Sequence, residues 1–304
     1  MPNPLGDFVM ATGVLKSLHD HYPNALIQVV SPYKELLPGY DVVPVGTKLS
    51  RPFDLGILLT GSLSSAWHFF RNRIPRRLGY VKDGRRLLLN MPVRFPKTIE
   101  SQHLVKTYHD LLAPLGITAI NPPKLETDAT LAWGVFGKFG LKEGDQIVGV
   151  NAGAAYGPAK CWPLERFAEV VRRLIEDKKR HVVLFGSPDM AETNRIIAAG
   201  LGNQVIDLCG KTSLAELAAC IGALDAFLTN DSGPMHIAAA LKTPLVAIFG
   251  STSDVKTGPY QWGTVIHKRV LCSPCYRRTC PIDFRCMKRI ETDEVYQEVI
   301  KCLT

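Results

Sequence analysis

The chain has 304 residues, of which 46% are hydrophobic and 21% are charged, and its net charge at pH 7 is +8. This length favours about two domains, and the composition excludes a disordered, collagen-like or coiled-coil chain. No apolar run reaches the roughly 18 residues of a membrane span, and no signal peptide is visible, so we expect a cytoplasmic protein. The basic excess favours anionic partners, but no nucleic-acid-binding motif is present, and we expect no nucleic acid partner.

The first half of the chain predicts helices and strands with irregular spacing. Helices are predicted over residues 7–21, 62–73 and 102–115, and strands over residues 25–30 and 54–59. Residues 121–128 are polar, contain Pro122-Pro123 and show no periodicity, which indicates an interdomain linker. We therefore expect an N-terminal domain of residues 1–128 and a C-terminal domain of residues 129–304.

The second half alternates apolar runs with helical patterns. Strands are predicted over residues 146–151, 181–186, 205–209, 226–229 and 244–249, and helices over residues 163–176, 190–199, 213–221 and 233–241. Continuous apolar runs are typical of strands buried on both faces, and their alternation with helices indicates a parallel α/β sheet. The closing helix, at about residues 292–303, could pack on either domain. Two doubly wound domains place a ligand cleft at the carboxyl ends of the strands.

The strongest candidate site is the segment 229–236 (TNDSGPMH), which follows a predicted strand and opens a helix. Unpaired N–H groups and the positive end of the helix dipole at Gly233 would form an anion site, most naturally for phosphate. His236, one turn inside, could donate a hydrogen bond to the same anion. The alternative is structural, with Asp231 or Ser232 capping the helix and His236 packed in the core. The position after a buried strand favours a ligand.

A second candidate is the segment 151–163 (NAGAAYGPAKCWP), where a predicted strand enters a loop of small residues before a helix. Small residues such as Gly153 and Ala154 let backbone N–H groups approach a phosphate closely, and Lys160 supplies a positive charge. The segment is not a Walker motif, because it lacks Gly-Lys followed by Ser or Thr. The alternative is a surface loop with a solvated lysine.

A third candidate is the turn that contains Gly6 and Asp7, ahead of the first predicted helix. Asp7 could act as a general base at the ligand edge. The alternative is a helix cap, and the two roles are compatible.

Four cysteines, Cys272, Cys275, Cys280 and Cys286, lie within fifteen residues among basic side chains. In a reducing compartment such a cluster suggests a metal more than a disulfide, and the first gap is typical of a zinc knuckle. The other gaps match no established zinc pattern. Free thiols packed as small hydrophobic groups are therefore the favoured interpretation, with structural zinc as the alternative.

Several short motifs occur in one order along the chain. They are Leu5-Gly6-Asp7, Lys160-x-Trp162-Pro163, Gly186-Ser187 with Glu192, Gly210-Lys211-Thr212-Ser213-Leu214, and Asp231-Ser232-Gly233 with His236. This ordered set resembles the heptosyltransferases of glycosyltransferase family 9, over nearly the whole chain. The cysteine cluster most resembles the heptosyltransferase II branch.

The resemblance implies a GT-B fold, in which two Rossmann-like doubly wound α/β domains face a central cleft. It implies an inverting transfer of L-glycero-D-manno-heptose from ADP-heptose to the phosphorylated lipid A inner core of lipopolysaccharide, with no cofactor. By resemblance, Asp7 is the general base, while Lys160 and the helix after Asp231 hold the diphosphate. Glu192 and Thr212 would lie near the adenosine. The chain has no Asp-x-Asp motif, so a helix N-terminus and a lysine would replace a metal ion at the leaving group.

The N-terminus departs from the family pattern. Family members usually begin with an apolar strand before the Gly-Asp turn, whereas only four residues precede Leu5 here. We expect either a misassigned start codon, with the strand encoded upstream, or a fragment.

Two other functions stay open from the sequence. One is a nucleotide-sugar 2-epimerase of the same architecture, which would release free epimerised sugar without an acceptor. The other is a non-catalytic nucleotide-binding protein, which would bind ADP-heptose without turnover.

A run of basic residues suggests contact with a membrane surface. The run consists of Arg71, Arg73, Arg76, Arg77, Lys82, Arg85 and Arg86. Because the implied acceptor is a glycolipid of the inner leaflet, we expect transient peripheral contact with the inner face of the inner membrane. The alternative is a solvated helix end and loop.

Overall fold

The computed structural model describes residues 1–49, 51–82, 84–176 and 180–304 and divides into two compact units, Met1–Leu125 and Glu126–Thr304. The boundary that we predicted from the polar linker, at residue 128, lies three residues further along the chain. Among the described residues, no helix combines the length and apolar character that crossing a bilayer requires.

The N-terminal unit contains short parallel strands and three helices among its described residues. In chain order these are α1 (Leu5–His21), β1 (Gln28–Val30), β2 (Asp41–Val43), β3 (Leu55–Leu58), α2 (Leu63–Arg71), β4 (Arg76–Tyr80), β5 (Met91–Val93) and α3 (Leu104–Asp110). β1 pairs with β2, and β3, β4 and β5 form a second sheet. The helix predicted over residues 102–115 is shorter than expected. It ends at Asp110, and a 3₁₀ turn that includes Pro114 follows at Ala113–Leu115.

A groove of about 570 Å³ runs between the two sheets of the N-terminal unit. It is lined by β1, by β3 and by apolar side chains of α1, among them Val14, Leu15 and Leu18. At one end the Met1 amino group donates a hydrogen bond to the Val30 carbonyl, with 3.0 Å between the atoms. Burial lowers the pKa of this amino group to about 6. Both β1 and β3 are edge strands, and they belong to the two different sheets of this unit.

The C-terminal unit is built on one six-stranded parallel sheet. Its elements are α4 (Ala129–Phe136), β6 (Gln146–Asn151), α5 (Leu164–Ile175), β7 (Arg180–Leu184), α6 (Ala191–Ala198), β8 (Val205–Asp207), α7 (Leu214–Gly222), β9 (Ala226–Asn230), α8 (Gly233–Leu241), β10 (Leu245–Phe249), α9 (Asp254–Thr257), β11 (Thr264–His267), α10 (Arg285–Lys288) and α11 (Thr292–Cys302). The strand order is β8-β7-β6-β9-β10-β11. The order reverses between β6 and β9, and ligands of such sheets bind at this switch point.

The sheet of the C-terminal unit is buried between helices. Every residue of β9 and β10 is buried, which explains the continuous apolar sequence of β10 and of the first three residues of β9. α5 directs Phe167, Val170 and Leu174 into this core. The closing helix α11 packs on α5 and adds Val295 and Val299 to the same core. Of the two placements considered for this helix, the structure therefore shows the one on the C-terminal unit.

Candidate active site

Two asparagines connect the loops at the switch point between β6 and β9. Asn151 ends β6 and donates its side-chain N–H to Ser232 Oγ at 3.1 Å. Asn230 ends β9, donates to the Ala152 carbonyl at 2.6 Å and accepts the Trp162 backbone N–H at 3.1 Å. Both asparagines are buried. Each strand end is thus tied to the loop that follows the neighbouring strand.

Lys160 and Asp231 form an ion pair at this switch point. Lys160 Nζ lies 2.5 Å from Asp231 Oδ2, and the Thr252 hydroxyl donates to the same carboxylate oxygen at 2.6 Å. The Lys160 side chain is 14% exposed and that of Asp231 only 4%. The ammonium also lies 4.8 Å from the centre of the Tyr156 ring. Because an ammonium has three N–H donors, the pair with Asp231 leaves donors for a second anion.

The helix α8 begins at Gly233, directly after this ion pair. Ser232 occupies the N-cap position, yet within the described residues its side chain makes no capping hydrogen bond. Its Oγ lies 2.9 Å from Thr229 Oγ1 and accepts from Asn151. The expectation that Asp231 or Ser232 caps α8 is therefore wrong, because both side chains have tertiary partners instead. The positive end of the helix dipole lies beside Lys160, and His236 is buried in the first turn.

The other residues assigned to the donor lie on neighbouring loops of the same sheet edge. Glu192 is in the first turn of α6, and its exposed carboxylate lies 2.6 Å from the Arg195 guanidinium. The hydrogen bond from Arg195 lowers the pKa of Glu192. Thr212 directly precedes Ser213, the N-cap residue of α7. The structure thus brings Lys160 into contact with Asp231 but pairs Glu192 with a helix neighbour.

The loop of residues 152–160, which we call the Lys160 loop, is held on two sides. On one side Gly153 approaches Met190 so closely that a Cβ at this position would lie 2.8 Å from the Met190 Sδ atom. Ala154 is buried. On the other side the Tyr156 hydroxyl donates to the Tyr276 carbonyl at 2.6 Å. The small residues of this loop therefore serve close packing, and the segment with the four cysteines supports the loop from outside.

The four thiols of the cysteine segment line one small cavity. Cys272, Cys275, Cys280 and Cys286 line a cavity of about 20 Å³ together with Ala159 of the Lys160 loop. All four are free thiols. Backbone hydrogen bonds, first from Ile282 and also from Phe284, lower the pKa of Cys280. Across the described residues, no group of three or more His, Cys, Asp or Glu side chains is arranged to hold a metal ion. Packed free thiols stay the favoured interpretation of these cysteines, with structural zinc as the alternative.

Asp7 lies in the N-terminal unit, in the first turn of α1. The expectation that Asp7 is a helix cap is wrong, because α1 begins at Leu5 and its N-cap residue is Pro4. Gly6 lies beside Asp7 in the same turn. Asp7 lines a cavity of about 910 Å³ that also contacts the carboxyl ends of β1 and β3. Burial and, second, the charge of Asp7 raise the pKa of Tyr108, another residue of this cavity, well above its usual value.

The sequence profile of glycosyltransferase family 9 (heptosyltransferase) matches residues 43–284. The chain belongs to glycosyltransferase family 9. Among family 9 relatives, the lipooligosaccharide heptosyltransferase 2 of Campylobacter jejuni is 36% identical over 169 residues, which is 54% of this chain and 54% of the relative. The lipopolysaccharide heptosyltransferase 2 of Escherichia coli is 30% identical over 296 residues, which is 85% of this chain and 83% of the relative.

A solved family 9 structure confirms the fold. The E. coli ADP-heptose lipopolysaccharide heptosyltransferase II superposes with a TM-score of 0.85 at 29% identity, covering 99% of this chain and 96% of that chain. The family 9 chain therefore has the predicted GT-B fold with two Rossmann-like domains, and it is a glycosyltransferase. The profile and these relatives do not favour the epimerase alternative.

Three residues that organise the switch point were not among the predicted site residues. Asn151 ends one predicted strand and Asn230 directly follows another, so a polar residue at the end of two apolar runs was a signal for this site. Thr252, which donates to Asp231, lies three residues after β10 in a segment without a motif. No sequence signal connected Thr252 to this site.

Proposed function

We propose that this family 9 enzyme transfers L-glycero-D-manno-heptose from ADP-heptose to the inner core of lipopolysaccharide. The observation that carries the proposal is the Lys160–Asp231 pair beside the start of α8, at the switch point of the C-terminal sheet. This arrangement offers a lysine and a helix dipole to a diphosphate. The names of the family 9 relatives supply the sugar and the acceptor class.

On the donor side, Lys160 and α8 would bind the diphosphate of ADP-heptose. The buried Asp231 positions the ammonium, and Thr252 positions Asp231 in turn. As the sugar leaves, negative charge grows on the diphosphate oxygen that was bonded to the anomeric carbon. A preorganised cation and helix dipole stabilise this charge without reorganising during the reaction. The transfer then requires no divalent metal and no cofactor.

On the acceptor side, Asp7 would act as general base. The carboxylate accepts the proton of an acceptor hydroxyl while the hydroxyl oxygen attacks the anomeric carbon. The bond from that carbon to the diphosphate oxygen breaks, and both of its electrons leave with ADP. A single displacement of this kind inverts the anomeric carbon. The cavity beside Asp7, about 910 Å³ in volume, has room for a sugar acceptor.

The acceptor also defines where the enzyme would act. A phosphorylated lipid A core is held in the inner leaflet of the inner membrane, and ADP-heptose is a cytoplasmic nucleotide sugar. We therefore assign the enzyme to the cytoplasm, with transient peripheral contact at the inner face of that membrane. The net charge of +8 favours such contact with anionic headgroups.

The decisive experiment is incubation of the purified chain with ADP-heptose and a heptosylated lipid A core acceptor. We expect one heptose to be added to the acceptor, detected by mass spectrometry, with one ADP released per transfer. Release of epimerised sugar without an acceptor would instead indicate the epimerase. Binding of ADP-heptose with neither product would indicate a non-catalytic protein.

A further inference from the structure

The helix α2 has apolar side chains on two adjoining faces, one turned into the core and one exposed. On its inner face Ala66 is buried, and Phe69 packs on the same small core. The outer face exposes Leu63, Trp67 and Phe70, with exposed fractions of 51%, 52% and 44%. These positions follow the spacing i, i+4 and i+7, so they form one stripe along the helix. We call them the α2 stripe. The rings of Trp67 and Phe70 stack, with centroids 5.6 Å apart.

Positive charge surrounds the α2 stripe. Arg71, Arg73 and Arg76 are exposed, and within the described part of the chain no acidic side chain forms an ion pair with them. The Arg77 guanidinium lies 5.4 Å from the centre of the Phe70 ring. Leu87 is 91% exposed on the 3₁₀ turn Arg85–Leu88, which packs against α2. Basic residues at the end of α2 and on the neighbouring β4 therefore accompany the exposed apolar side chains.

The α2 stripe borders the cavity that contains Asp7. Trp67 is both half-exposed and part of the cavity lining, and Arg71 lines the cavity as well. His68, between them, also lines it. One helix thus presents side chains to the outside and to the candidate acceptor cavity.

We propose that the α2 stripe and its arginines dock on an anionic lipid bilayer. The acceptor would then keep its acyl chains in the leaflet while its sugar reaches the Asp7 cavity. Exposed apolar side chains beside basic residues are the pattern of a helix that lies in the bilayer interface, where tryptophan is enriched. The arginines complement the negative surface potential of the membrane. The identity of the acceptor rests on the proposed function, whereas the docking surface rests on the geometry of α2.

The test measures binding to vesicles of neutral phosphatidylcholine, with and without anionic phosphatidylglycerol, by co-sedimentation at low and high salt. Two variants avoid the residues that line the cavity. Arg73→Gln/Arg76→Gln removes charge, and we expect about 25-fold weaker binding to anionic vesicles, about five-fold per arginine. Leu63→Ser/Phe70→Ser removes apolar area, and we expect roughly tenfold weaker binding.

Matched controls come from exposed residues of the C-terminal unit. Arg172→Gln/Arg195→Gln controls for charge, and Leu131→Ser/Ile196→Ser controls for apolar area, because Leu131 and Ile196 are 41% and 42% exposed. Both controls should bind anionic vesicles like the wild type. Equal binding to neutral and anionic vesicles, or unchanged binding of the two α2 variants, would overturn the proposal. The proposal would also be overturned if analytical sedimentation showed that the wild type is a dimer and that the Leu63→Ser/Phe70→Ser variant is a monomer. In that case a second copy of the chain would cover the α2 stripe.

A second measurement separates docking from catalysis. The α2 variants should lose transfer to an acceptor embedded in anionic vesicles but keep transfer to the same acceptor after its acyl chains are removed. Equal loss on both acceptors would overturn the docking role. If the wild type transfers heptose to neither acceptor, the proposed function fails, and the vesicle measurements still decide the docking surface on their own.

Discussion

Asp7 lies past the N-cap position of α1 and lines the cavity of the N-terminal unit, as the proposed general base requires. α1 begins before it, at Leu5, and Asp7 lines the cavity beside Tyr108. We predict that Asp7→Asn lowers the rate of transfer about 10²–10⁴-fold, the usual contribution of a general base. ADP affinity should stay unchanged, because Lys160 belongs to the other unit. Single-turnover kinetics and calorimetry with ADP measure the two effects.

The matched control for this prediction is Asp20→Asn. Asp20 lies on the same helix, near its other end, and its exposed carboxylate pairs with Lys16. Transfer by this variant should equal that of the wild type. An Asp7→Asn enzyme with near-normal turnover would exclude Asp7 as the base.

Lys160 pairs with Asp231, and substitution can separate this contact from the proposed role of Lys160 in binding the diphosphate. We predict that Lys160→Met weakens ADP binding about 10–100-fold, since a hydrogen bond to a charged group contributes about 1.5–3 kcal/mol. The same variant should lower the free energy of unfolding by on the order of 3 kcal/mol, because Asp231 stays buried without its cation. Calorimetry and denaturant unfolding measure the two losses.

A second variant tests whether these losses are independent. Lys160→Met/Asp231→Asn removes the buried charge along with its partner, so it should recover most of the stability but not the ADP affinity. Lys301→Met is the control, since Lys301 is an exposed lysine of the same unit. Unchanged ADP affinity in Lys160→Met would mean that Lys160 is only a structural partner of Asp231.

At the scale of elements, the extent of burial determined which strands could be predicted from the sequence. β6 has the predicted bounds, because all but its first residue are buried and its apolar run is continuous. β11 was missed because only Ile266 of its four residues is fully buried. β4 was missed because it begins with Arg76 and Arg77, which looked like part of a basic run. β2 and β5 were also missed, because each has only three residues and includes an exposed residue, Asp41 or Pro92.

The side-chain partners of Asp231 and Ser232, including the ion pair with Lys160, could not be predicted because they are tertiary contacts, which a local sequence pattern does not contain. Asp231 and Ser232 both have good N-cap chemistry, yet Thr252 and Asn151 engage their side chains instead. The sequence placed Lys160 and Asp231 in separate motifs at one sheet edge, in agreement with the structure. It could not show that the two side chains touch, because their contact depends on the order of the strands between them.

The groove in the N-terminal unit leads to a prediction about a strand. It exposes the edges of β1 and β3, and α1 lines it with apolar side chains. A fused segment of five or six β-branched residues ahead of Met1 should pair with these edges, because an edge strand presents unpaired backbone N–H and C=O groups to an added strand. We predict a higher melting temperature for the fused chain, measured by circular dichroism. A fused segment of alternating Gly and Ser is the control, and an equal effect of both would contradict the prediction.

The same fusion has a predicted pH dependence. The Met1 amino group has a pKa lowered to about 6 by burial, against an ordinary value of 8.0. Between about pH 6 and pH 8 the amino group of the unfolded chain binds more protons than that of the folded chain. The free energy of unfolding of the unfused chain therefore rises with pH over this range. Fusion replaces the amine with a peptide N–H and removes this titration. The stability difference between the fused and unfused chains should therefore shrink as pH rises through this window, and a constant difference would contradict this account.

At the scale of the whole molecule, the two units supply different parts of the proposed reaction. The N-terminal unit contains Asp7, the proposed base, and the C-terminal unit contains Lys160 and the start of α8, the proposed diphosphate site. Sugar transferases that use a metal ion hold it with a pair of carboxylates on the nucleotide diphosphate, and this chain has no Asp-x-Asp motif. In the proposed reaction, Lys160 and the helix dipole would supply positive charge at the corresponding point.

We therefore predict that heptose transfer does not require a divalent metal. Turnover should be unchanged in EDTA, and added Mg²⁺ or Mn²⁺ should give no increase, because the charge on the leaving ADP is neutralised by fixed protein groups. The four cysteines complicate this test, so the metal content of the purified chain is measured first by mass spectrometry. If zinc is present, circular dichroism before and after EDTA separates a loss of structure from a loss of chemistry. Activity that disappears in EDTA with the fold intact, and returns with Mg²⁺ or Mn²⁺, would show that a metal ion stabilises the leaving group instead of Lys160 and α8.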